Sequence, residues 1–62
     1  MKIKFKLNDE TKGAHKYIEL DRKGNPINAN EGAVVGTLYI RKAAFRNMDT
    51  PEELNITIEE IP

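Results

Sequence analysis

Residues 2 to 7 read Lys2-Ile3-Lys4-Phe5-Lys6-Leu7. Charge and apolar bulk alternate without a break. A β-strand sends successive side chains to opposite faces, so Ile3, Phe5 and Leu7 fall on one side and Lys2, Lys4 and Lys6 on the other. A helix does not bring residues two apart together on one face. This run therefore sets the fold class as sheet. The stretch Asn8 to Gly13 is polar and rich in turn formers, which ends the strand.

The next segment, Ala14-His15-Lys16-Tyr17-Ile18-Glu19-Leu20, reads as a second strand with mixed faces. His15, Tyr17 and Glu19 share one side; Lys16, Ile18 and Leu20 share the other. We place the Tyr17 ring inward. Asp21-Arg22-Lys23-Gly24 makes a turn, with Asp suited to its first position and Gly24 free to take φ > 0. Pro26 pushes Asn25 into an extended conformation. Residues 27–32 read as a mobile surface loop. The run Ala33-Val34-Val35-Gly36-Thr37-Leu38-Tyr39-Ile40 is the richest in β-branched and aromatic residues. Its apolar groups lie on both faces, which predicts a central strand, and Gly36 marks a bulge or close backbone approach.

Arg41 to Arg46 holds good helix formers but is too short for a stable isolated helix. Thr50 and Glu53 match a capping box, with Pro51 at the first helical position. Leu54, Ile56 and Ile58 then alternate with Asn55, Thr57 and Glu59 in a last strand. The expectation is an all-β fold. It is a small antiparallel sheet or partly open barrel of four to five short strands, at about 2–7, 14–20, 33–41 and 54–60. At most one short helical turn fits, near 43–46 or 50–53. The predicted core is Ile3, Phe5, Leu7, Val34, Leu38, Ile40, Phe45, Leu54, Ile56 and Ile58.

The chain has 62 residues, enough for a single domain over 1–62. A chain this short buries only roughly 60% of its unfolded surface. It has no cysteine for a disulfide, and one His with no Cys makes a poor metal staple. One sheet has one face to bury, and no long helix is there to cover it. We therefore expect a homodimer, two sheets face to face or strands exchanged. No apolar run approaches the roughly 18–20 residues of a membrane helix or the core of a signal peptide. The expected setting is cytoplasmic, with no membrane partner. The sequon Asn55-Ile56-Thr57 is read as accidental in that setting.

Ten Lys+Arg balance ten Asp+Glu, so the formal net charge is zero. That argues against a general electrostatic grip on nucleic acid. A local grip remains open. Lys2, Lys4 and Lys6 form a stripe about 13 Å long at roughly 3.3 Å per residue. Arg41, Lys42 and Arg46 form a second basic cluster, and Tyr17, Tyr39 and Phe45 offer stacking surfaces. Together these are candidate residues for single-stranded nucleic acid. The plainer reading is a solvated face. On it, if the first and last strands pair, Lys4 or Lys6 meets Glu59 or its neighbours, and such pairs add roughly 0.2–1 kcal/mol each. Alternating Lys also discourages edge-to-edge aggregation.

His15 is the chain's one imidazole, a side-chain type suited to general acid–base work. An enzymatic reading would rest on His15 and Tyr17. The pairs Glu52/Glu53 and Glu59/Glu60 are adjacent in sequence, so on a strand they point apart and make no catalytic dyad. Asp21 to Asn25 lacks EF-hand spacing, and Lys12-Gly13 lacks the glycines of a phosphate loop. No catalytic residue, cofactor or metal ligand is assigned. The leading reading is a small non-catalytic binding or assembly module, self-paired and open to a protein partner. Nucleic-acid binding stands as its alternative.

Three segments carry a resemblance. They are Glu10-Thr11-Lys12-Gly13-Ala14 with Tyr17 and Glu19, Gly36-Thr37-Leu38-Tyr39-Ile40-Arg41-Lys42, and Pro51-Glu52-Glu53-Leu54-Asn55-Ile56-Thr57-Ile58-Glu59. Together they resemble a group of very short, uncharacterised prokaryotic proteins with a variable central loop and a threonine-rich acidic closing strand. The resemblance implies that Gly36 to Lys42 is a shared element. It brings no catalytic residue with it.

Overall fold

The alternating run at the start of the chain becomes an inner strand of the sheet. The computed structural model describes residues 1–62. Strand β1 spans Lys2–Glu10, β2 Ala14–Glu19, β3 Thr37–Arg41 and β4 Glu53–Thr57. All pairings are antiparallel, in the order β3-β2-β1-β4. The sheet curls into half a barrel, as the sequence leads one to expect. Helical structure is limited to 3-10 turns at Ala29–Glu31 and Lys42–Phe45. No helix is long and apolar enough to cross a membrane.

The register assembles the apolar face row by row. Ile3 sits opposite Ile56, and Phe5 lies between Leu54 and Glu19. Leu7, Tyr17 and Leu38 form one row across β1, β2 and β3. Phe5 and Tyr17 are fully buried, and Ile3 is nearly so. Leu7, Leu38, Ile40, Phe45, Leu54 and Ile56 pack around them but stay partly exposed. The turn at Lys42–Phe45 tips the Phe45 ring edge-on to Tyr17, at 6.3 Å between centroids. Such aromatic pairs add about 0.5–1.5 kcal/mol beyond their buried area. The Tyr17 hydroxyl donates to the Pro51 carbonyl at 2.8 Å, tying the approach to β4 onto the core.

Several expectations need correction. β1 runs on to Glu10, past the break expected at Asn8, and two 3-10 turns form where one at most was expected. The 33–40 run is not a central strand: β3 starts at Thr37 and lies at an edge of the sheet. Gly36 adopts φ +90°, a left-handed conformation that breaks an extended run. Val34 and Ile58 leave the core and are 58% and 44% exposed. Strand β4 opens at Glu53 and closes at Thr57, short of the expected 60. The Thr50–Glu53 box does not form, because Glu53 already belongs to β4. The capping box instead occurs at Asn28, whose side chain accepts from Asn30 while its own N–H reaches the Glu31 carboxylate. The 27–32 loop thus contains a hydrogen-bonded turn. The first and last strands do pair, but Lys6 sits opposite Glu53 rather than Glu59, and the Lys4 ammonium lies 3.9 Å from the Glu53 carboxylate.

Candidate functional site

Alternation that buries Ile3, Phe5 and Leu7 must expose what lies between them. Lys2, Lys4 and Lys6 stand on the convex outer face of β1. Strand β3 exposes Thr37, Tyr39 and Arg41 on that same face. Lys16 of β2 lies between them, opposite Tyr39 on one side and Asp9 on the other. Five cations and a 57% exposed tyrosine therefore share one surface. Its acids are Asp9 at one end and Glu53 on the β4 edge. Neighbouring strands lie about 4.8 Å apart, so β1 and β3 are separated by roughly 10 Å.

Four of the sequence candidates are elsewhere: Tyr17 and Phe45 pack together on the inner face, and two cations lie off the surface. Lys42 begins the 3-10 turn, and its ammonium lies 3.2 Å from the Glu10 carboxylate. Arg46 caps that turn and is exposed. Lys16 was missed because the faces of β2 look mixed in sequence. Placing Tyr17 inward already turns Lys16 outward, and that was the available signal.

The concave side holds the second cluster. A register shift between Leu7 and Asp9 leaves Asn8 as an extra residue. A bulge of this kind reverses the in–out phase of the strand beyond it. Glu10 is thereby brought opposite His15. His15 Nδ1 lies 3.8 Å from Glu10 Oε2, and His15 Nε2 lies 3.5 Å from Thr50 Oγ1. Leu7, Asn8 and Asp9 complete an open hollow of about 380 Å³ around these three. Hydroxyl, imidazole and carboxylate follow the order of an activated nucleophile. Both gaps exceed the roughly 2.6–3.2 Å of a working relay, and Lys42 already holds the carboxylate. Tyr17 is equally committed. Burial, with Glu52 nearby, pushes its phenol above the ordinary value of 10.0, so it stays a neutral donor to Pro51.

The third cluster is centred on Glu19, which is 5% exposed. Its carboxylate accepts backbone N–H bonds from Val34 at 3.0 Å, Val35 at 2.7 Å and Gly36 at 3.0 Å. Burial pushes this carboxyl up, but the three N–H donors outweigh burial and hold it below the ordinary 4.5. Every buried side-chain nitrogen and oxygen has a partner. No three metal-ligating side chains converge.

Comparison with known protein families, with curated proteins and with solved structures finds no match to this chain.

Proposed function

We propose that the chain is a small non-catalytic assembly module that works as a homodimer, concave face on concave face. One observation carries this reading: the chain exposes more surface than its mass warrants. A compact monomer of 7.1 kDa exposes about 4,100 Å², and this chain at 5042 Å² stands about 950 Å² above that. A standard interface takes about 800 Å² from each partner. The partly exposed inner residues Leu7, Leu38, Ile40, Leu54 and Ile56 supply an apolar surface for it, which the turn bearing Phe45 and the Thr50–Pro51 approach to β4 cover only in part. A second copy is the matching occupant, because one curled sheet laid on its twin about a two-fold axis closes both concave faces.

Light scattering at micromolar concentration tests this directly. A mass near twice 7.1 kDa is expected, and the monomer mass would refute the proposal. Ile40→Lys sets a charge on the β3 edge of the open face and should yield a folded monomer with a lower Tm. The Tm of the parent should rise with protein concentration, as mass action requires of a dimer.

A further inference from the structure

We infer that the convex face is a binding surface for single-stranded nucleic acid, built from Lys2, Lys4, Lys6, Lys16, Tyr39 and Arg41. The sheet register brings these six to one surface from three strands. A chain of zero net charge places five of its ten cations on this surface. Of the ten acids, only Asp9 and Glu53 accompany the five cations through the strand pairings; Asp9 lies at one end, and Glu53, opposite Lys6 and 3.9 Å from the Lys4 ammonium, lies on the β4 side. The Lys2–Lys4–Lys6 stripe runs about 13 Å along one strand, a linear track suited to a phosphate backbone. Tyr39 stands beside Lys16 with its ring exposed, and it supplies a face on which a base stacks without regard to sequence.

A duplex fits less well. Bases paired inside a helix offer no ring to Tyr39. The chemistry therefore selects unpaired bases. The surface lies opposite the concave face, so the inference stands whether or not the chain dimerises.

Fluorescence anisotropy with a labelled oligothymidine of about 15 nucleotides provides the test, beginning at low salt where such contacts are strongest. Five phosphate contacts give a log–log salt slope of about −3.5, or a roughly three-thousandfold weakening per tenfold rise in salt. Lys4→Ala should lessen the slope by about 0.7. Tyr39→Ala should weaken binding at least about fivefold while leaving the slope unchanged, since it removes stacking alone. Lys42→Ala and Arg46→Ala, both off the surface, should bind like the parent. Circular dichroism checks that each variant keeps its sheet. No binding at low salt would overturn the inference. So would equal affinity for duplex, or a Tyr39→Ala variant that binds as well as the parent, since either marks a mere polyanion surface.

Discussion

Replacing Glu19 with Gln changes almost no volume and removes one charge. Three backbone N–H groups converge on the carboxylate, two on Oε1 and one on Oε2. The Gln carbonyl can keep the Val35 and Gly36 bonds in weaker, neutral form. The amide nitrogen then faces the Val34 N–H, donor against donor. A hydrogen bond to a charged group contributes about 1.5–3 kcal/mol, against about 1 for a neutral one. Losing one outright and weakening two sets the expected cost near 2–3 kcal/mol. A domain of this size has only about 3–9 kcal/mol in total, so the Tm should fall by roughly 10–20 °C. Urea denaturation followed by circular dichroism measures the loss at pH 7.

The pH dependence gives an independent check. The folded carboxyl lies below its ordinary 4.5. Its stabilising contribution is therefore complete above the unfolded value and is lost as pH falls through the folded one. Parent and Glu19→Gln should differ fully at neutral pH and converge as pH drops below 4.5 and through the folded value. Equal stability at pH 7 would refute the reasoning, as would a gap that persists undiminished into strong acid.

Other substitutions probe the rest of the sheet. Phe5→Ala empties a fully buried site. It should cost about 3–5 kcal/mol, enough to leave much of the chain unfolded by circular dichroism at 37 °C. Tyr17→Phe keeps the ring but leaves the Pro51 carbonyl without its donor. A loss of about 1–2 kcal/mol in urea titration is expected. Gly36→Ala meets no atom within 4 Å but must hold φ near +90°. That conformation should cost about 1–2 kcal/mol in thermal melts. Gly13→Ala is equally free of contacts and has no positive φ, so it should be neutral or raise the Tm slightly.

How far the sequence could be read follows from where its signals are local. Lys2 to Leu7 alternates cleanly, and β1 is where that pattern puts it. Leu54, Ile56 and the pairing of first and last strands were equally legible, since period-two patterning and opposite charge agree there. The 33–36 run misled because β-branched content measures fit to a half-buried pleat and not the path of the backbone. What takes Val34, Val35 and Gly36 out of the sheet is a carboxylate fifteen to seventeen residues earlier. No local pattern encodes that contact. The Asn8 bulge was hidden for a similar reason: one extra residue is visible only against the register of a partner strand. Glu10 and His15 consequently became neighbours without any motif to announce it. The candidate outer face was legible in β1 and β3. It gained Lys16 and left out Lys42 and Arg46 once the register was known.

The Glu19 cluster also governs what the chain can tolerate. Beyond the carboxylate, the Glu19 backbone accepts from Ile27 and donates to Gly36. One residue thus fastens both feet of the excursion between β2 and β3. What lies between the feet contributes nothing to the strand ladder. The segment around Asn28 to Gly32 is therefore a graft point. Foreign sequence inserted there should leave the sheet's register untouched, and the loop is free to diversify while the sheet stays constant.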